Sequence, residues 1–297
     1  MKKNNNLFIN ILSFVLLSSF IYSQTRSTAL ELKNIVALTP PNNYSAPKWS
    51  PDGKNLLFTT SRFSGLYTVN LNGKNQIITL TTLPGAGYNA EWSDDSKNIL
   101  YRNKTTGADN KSLVEVKSIH ILNKTIKNLS NINANAIASN YSARVSNAPI
   151  VYTNTKTLLI EAQTLDKSKK WIITKEPGQY YQAILSPDKN KVLVHKNGEM
   201  LVYAIDGSGL ISTLGKGIAN SWSSDSKQIL FFVSEDDGHQ IVGSDLYLCN
   251  SDGSGRWRLT NTHDVFEMFP SWSPDNKKIA FSDAKKGIIY TADLIKY

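Results

Sequence analysis

The feature that most restricts the fold of this chain is a short stretch, FPSWSPDNKKIAF at residues 269–281, that recurs in worn form along the sequence. Aligned on the residue before the first serine, the copies are anchored at Trp49 (KWSPDGKNLLF), Trp92 (EWSDDSKNILY), Val145 (RVSNAPIVY, two residues shorter), Leu185 (ILSPDKNKVLV), Trp222 (SWSSDSKQILF) and Trp272. Their intervals of 43, 53, 40, 37 and 50 residues average about 45, the length of one four-stranded propeller blade. A unit of that size cannot bury its own apolar faces and must pack on its neighbours, so the repeat fixes the architecture before any motif is interpreted. A second signature supports the weaker copies: Tyr88-Asn-Ala-Glu-Trp-Ser, Tyr141-Ser-Ala-Arg-Val-Ser and Tyr181-Gln-Ala-Ile-Leu-Ser share Tyr-x-Ala-x-apolar-Ser.

Within a copy, alternation and turn chemistry divide the chain into four strands, a to d. In the first copy, strand a runs through Lys48-Trp49-Ser50 to a Pro51-Asp52-Gly53-Lys54 turn. Strand b covers residues 55–60 and strand c residues 65–71; an Asn72-Gly73 hairpin leads to strand d over 76–81. Proline presets φ, aspartate bonds back to its own turn, and Asn-Gly takes the positive φ of a two-residue hairpin. The second copy carries a polar loop at 105–111 and the fifth a long loop at 235–243. The sixth copy ends too soon for a fourth strand. Residues 34–39, NIVALT, match the strand d endings IITLT and WRLT, so the N-terminal strand is expected to complete the last blade and protect its edge. The expected fold is all-β: a six-bladed propeller over residues 24–297.

The pattern xxWSPDGKxLxF, followed by a strand, a DGS or NGK turn and xxLT, resembles the TolB-type β-propeller repeat over residues 33–297. That resemblance implies six blades and an exported binding scaffold of the bacterial envelope. TolB carries a further α/β domain before its propeller; here about ten residues separate Gln24 from the first strand, so the propeller alone is expected. The repeat is also similar to the propellers of prolyl-oligopeptidase-type peptidases and of seven-bladed oligogalacturonate lyases. The first implies a hydrolase domain for which no chain remains, and the second a histidine-rich metal site.

Ahead of the repeats, Lys2 and Lys3, an apolar run at 7–17 and Ile21-Tyr22-Ser23 read as a secretory signal cleaved before Gln24. The apolar run is short for a bilayer span and is interrupted by Asn10. Cleavage takes away two lysines and no acid, lowering the formal charge from +9 to +7. A basic exported chain suits anionic glycans or acidic proteins. Cys249 is the only cysteine, which excludes an intrachain disulfide. A periplasmic or secreted monomer with no membrane span and no nucleic-acid partner is expected.

The Trp-Ser-Pro-Asp stretch is assigned to structure, with the indole in the wedge between blades and the aspartate closing the a–b turn. Asp206-Gly-Ser-Gly and Asp252-Gly-Ser-Gly lie between strands, as hairpins, and not on a nucleophile elbow. No catalytic residue, cofactor or metal is expected, since a shared metal would need His120, His195, His239 and His263 to converge from several blades. The b–c and d–a loops share one face, and recognition commonly resides in loops on a rigid scaffold. On that face fall Arg62, Tyr88, Tyr141, Tyr181, the acidic loop 235–239, His263, Asp264 and Glu267. The tyrosines could stack a sugar or dock a protein segment. Standing four residues before the tryptophan position, they could equally share its face and extend the packing between blades. The expected function is a non-catalytic scaffold for an envelope protein; the alternative is a carbohydrate-active propeller that binds or cleaves an anionic oligosaccharide.

Overall fold

The structure, a computed structural model, describes residues 30–73, 75–106, 112–129, 132, 137 and 147–297. Its elements are strands grouped in six antiparallel sheets. Blade 1 is β2 (Tyr44–Trp49), β3 (Asn55–Thr60), β4 (Leu66–Asn70) and β5 (Ile77–Thr81). Blade 2 is β6 (Glu91–Trp92), β7 (Asn98–Thr106), β8 (Ser112–His120) and β9 (Ile126–Leu129). Blade 3 shows β10 (Ile150–Thr153), β11 (Ile160–Gln163) and β12 (Lys170–Ile172); the strand expected at Tyr141 and Val145 lies outside the described residues. Blade 4 is β13 (Tyr180–Leu185), β14 (Lys191–Lys196), β15 (Glu199–Ala204) and β16 (Leu210–Lys216). Blade 5 is β17 (Ile218–Trp222), β18 (Gln228–Asp236), β19 (Ile241–Asn250) and β20 (Arg256–Arg258). Blade 6 is β21 (Glu267–Trp272), β22 (Lys278–Asp283) and β23 (Ile288–Lys296), completed by β1 (Leu30–Ala37).

The ring closes as the sequence implied. β1 pairs antiparallel with β23, from Leu30 opposite Lys296 to Ala37 opposite Tyr290. The Leu-Thr endings explain the seam chemically. Leu38 N donates to Ile289 O at 2.8 Å, while Ile289 N donates to Thr39 Oγ1 at 3.0 Å, so one residue of the third strand is held at both polar groups. Leu259 and Thr260 hold Leu246 in the same way, and Ile173 and Thr174 hold Ile160.

Each second strand is buried on both faces because a blade has a neighbour on either side. Leu56 and Phe58 pack with Ala280 and Ile289 of blade 6, whereas Leu57 joins Trp92, Ile99 and Tyr101 of blade 2. Burying a side chain such as Phe58 contributes about 2–3 kcal/mol. The Trp92 indole donates to Lys48 O at 3.1 Å, and that of Trp222 to Ile184 O at 3.2 Å, each in the preceding blade. The recurring Ser-x-Asp turns are self-bonded: Ser50 Oγ donates to Asp52 Oδ1 at 2.6 Å, Lys54 N donates to the same oxygen at 3.1 Å, and Asn55 N donates to Ser50 Oγ at 2.9 Å. Blades 2, 4, 5 and 6 repeat this turn at Asp95, Asp188, Asp225 and Asp275. These bonds absorb the most distinctive motif into structure.

Two expectations change. The long loop at 235–243 is mostly hairpin, with Glu235 opposite Gly243 and Asp236 opposite Ile241, leaving residues 237–240 as its tip. The innermost strands are also bulged. In blade 4, Leu185 pairs with Val192 but Tyr181 pairs with His195, and Gln182 takes φ 56°. The extra residue breaks the two-residue alternation, so Tyr181 does not share the face of the motif position. The same shift separates Ser45 from Trp49 in blade 1, with Ala46 at φ 53°. Among the described residues no helix is long and apolar enough to cross a membrane.

Candidate ligand-binding face

The b–c and d–a loops are laced together by backbone bonds. Asn42 N donates to Gly287 O at 3.2 Å, Ser61 N to Asn43 O at 2.8 Å, Gly65 N to Leu83 O at 3.0 Å, and Gly87 N to Phe63 O at 2.9 Å. Close approach requires the glycine at 87, since a Cβ there would lie 1.9 Å from Thr59 Oγ1. Arg62 is exposed at the tip of the blade 1 loop. Tyr88 is 43% exposed; its ring meets Phe63 edge-on at 5.6 Å and lies 5.0 Å from the Arg102 guanidinium. Phe63 in turn meets Phe269 at 6.5 Å, and Phe269 meets Phe232 at 5.3 Å. A continuous aromatic chain therefore runs from the entry to blade 2, over blade 1 and blade 6, into blade 5.

Tyr181 is also 43% exposed and stacks on the buried His195 ring at 5.4 Å. His195 Nε2 accepts from Ala219 N at 3.0 Å, and Gln182 Nε2 donates to Ala219 O at 3.3 Å, so blade 4 clamps both polar groups of one residue in blade 5. Burial pushes the His195 imidazole down to about 4, which keeps it neutral as that bond requires.

His263 and Asp264 are exposed in the loop entering blade 6, whereas Glu267 is only 2% exposed and faces no bulk solvent. Burial raises the Glu267 carboxyl to about 7, with the charges of Asp245 and Asp283 adding to the effect. Thr262 Oγ1 lies 2.9 Å from both Val265 O and Glu267 Oε1. One hydroxyl proton serves only one of these, so a protonated Glu267 donating to Thr262 satisfies both contacts. Asp245 is engaged by Arg258 at 2.5 Å. Glu267 is thus a buried prop beneath the loop that presents His263 and Asp264. Tyr141 lies outside the described residues.

The remaining histidines stand apart. His120 accepts from Leu122 N and Asn123 N in a turn of blade 2, and His239 is exposed at the tip of blade 5. Among the described residues no three His, Cys, Asp or Glu side chains are arranged to hold a metal. Cys249 is buried, and burial pushes its thiol up to about 12. On the opposite, turn face, a cavity of about 280 Å³ is lined by Trp49, Trp92, Trp222 and Trp272. Sequence reasoning did not single out Phe63, Phe269 or Arg102. Phe269 alone carried a signal, as an aromatic residue at the bulge position that Ala46, Asn89 and Gln182 hold in other copies.

Among solved structures, the chain superposes on a protein assigned as TolB from Agrobacterium tumefaciens with TM-score 0.53 and 16% identity, over 89% of this chain and 96% of that one. The chain has a TolB-like propeller fold. The TolB-like arrangement of six blades also superposes on a chain of the mitotic checkpoint complex (TM-score 0.56, 10% identity, 99% of each chain). A chain of a nidogen/laminin complex matches with TM-score 0.52 and 11% identity, over 80% of this TolB-like propeller and 89% of the other chain. No protein-family model and no curated protein matches the sequence.

Proposed function

We propose that this chain is an exported, non-catalytic binding scaffold of the bacterial envelope, periplasmic or secreted after cleavage before Gln24, and that its loop face holds a protein partner. The observation that carries this reading is the half-exposure of Tyr88 and Tyr181, on loops and bulges pinned by backbone bonds to the blades. Large rigid rings left partly open on a fixed scaffold provide contact area at small entropic cost. Export is supported by Lys2, Lys3 and the apolar run at 7–17. The fold itself occurs in structures described as a mitotic checkpoint complex and a nidogen/laminin complex.

The test is affinity capture of envelope proteins and glycans on the chain, washed at low and then high salt, because a basic surface collects acidic bystanders that salt removes. A salt-resistant protein partner lost on Tyr88→Ala with Tyr181→Ala is the expected result. Retention of polysaccharide alone, or shortening of the retained glycan, would replace this reading with the carbohydrate-active one.

A further inference from the structure

We infer that the loop-face sector over blades 6, 1 and 2 takes an acidic segment of the partner protein, anchored by one apolar side chain. The inference rests on the protein-binding reading above and specifies the chemistry of its partner.

The first observation is charge. Residues 284–287, 38–43, 61–65 and 82–90, laced into one surface by the backbone bonds already described, contain Arg62, Lys285 and Lys286 and no acid. Lys104 is exposed at the loop end of β7, and the Arg102 guanidinium lies over Tyr88. Among the described residues, the exposed acids of this face lie elsewhere: Glu176 and Glu199 at blade 4, and Glu235, Asp236 and Asp237 on the blade 5 hairpin, with Asp264 at the border. Lys285 is partly engaged, 5.1 Å over the Phe266 ring. A segment with acidic residues is drawn to the first sector and turned away from the second, which fixes its orientation as well as its rate of arrival.

The second observation is the backbone of the aromatic chain. Phe63 and Phe269 both adopt left-handed φ, 54° and 52°, a region that bulky residues avoid. Both rings remain only partly buried despite that conformation. At Phe269 this φ belongs to the bulge position that Ala46, Asn89 and Gln182 hold in other blades, and at Phe63 to the turn closed by Phe63 N on Thr60 O, so the blades' own geometry fixes where the two rings meet. A phenylalanine ring has no polar tip, so this pair suits an apolar anchor.

The experiment selects 12-residue peptides from a random display library on the full chain, with polygalacturonate as a parallel probe. Enriched peptides are expected to carry Asp or Glu around one aliphatic or aromatic residue. Replacing that residue by Ser should weaken binding about tenfold or more. Arg62→Glu should slow association and flatten the salt dependence. Phe63→Gly removes a ring while suiting the left-handed backbone, so lost affinity with an unchanged melting temperature separates contact from folding. Basic peptides, sensitive to Asp236→Lys and indifferent to Arg62→Glu, would overturn this inference while leaving a protein-binding face. No peptide enrichment together with retention of polygalacturonate would overturn both.

Discussion

Thr39 and Ile289, 250 residues apart, form the joint that closes the ring: the Ile289 amide donates to the Thr39 hydroxyl oxygen at 3.0 Å. The bond is buried and repeats the contact of Thr260 with Leu246 and of Thr174 with Ile160. Closure between the two ends of the chain therefore uses the same chemistry as the inside of an ordinary blade. Thr39→Val keeps the shape but leaves a buried amide without its acceptor, at a cost of about 1–3 kcal/mol. Urea unfolding should show the midpoint falling without a change in slope.

The Ser-x-Asp turns set the response to acid. Hydrogen bonds from Ser93, Ser223 and Ser273 hold the carboxyls of Asp95, Asp225 and Asp275 below the usual range, with backbone amides contributing. A depressed folded-state value means stability that is present above the unfolded value near 3.8 and is lost as pH falls through the folded one. The wild-type chain should lose stability in acid below pH 3.8, and Asp225→Asn should reduce that acid-dependent loss while lowering stability at neutral pH by about 1 kcal/mol.

His195 and Glu267 act against each other between pH 4.5 and 6.5. His195 titrates near 4 when folded against 6.5 when unfolded, so in that interval the unfolded chain binds more protons and stability rises with pH. Glu267 titrates near 7 when folded against 4.5, so the folded chain binds more protons and stability falls as pH rises. The two slopes largely cancel in the wild type. Glu267→Gln removes one of them, and the variant should show stability climbing from pH 4.5 to 6.5 and then holding level. An unchanged pH profile would contradict the assignment.

The tryptophans are predicted to be unequal. Trp92 and Trp222 donate to the preceding blade, whereas Nε1 of Trp49 and of Trp272 is buried without an acceptor among the described residues. Replacement by phenylalanine removes a comparable volume in each case. The loss should therefore be about 1 kcal/mol greater at Trp92 and Trp222 than at Trp49 and Trp272, measured by thermal unfolding.

The fold was legible because its determinants are local and repeated. Ser, Asp and the following lysine write the a–b turn in one stretch, and the Leu-Thr ending marks the last strand even when it stands at the other end of the chain. The site was less legible. Alternation suggested that Tyr181 shares the face of the motif position, but the bulge at Gln182 inserts one residue and turns the ring onto His195. Glu267 looked like a loop carboxylate beside His263 and Asp264, yet strand pairing with Asp283 carries it into the seam between blades. Phe63 lies in a b–c loop, where no periodicity constrains residue type, and only the fold brings it to Phe269.

The most direct test of a partner-holding loop face is site-specific photo-crosslinking in cells, with a photoreactive amino acid at position 88 on the loop face and, as control, at position 97 on the turn face. A discrete protein adduct in the envelope fraction is expected from position 88 and none from position 97. Adducts from position 97 alone, or no protein adduct from either position while the chain is folded and exported, would contradict it.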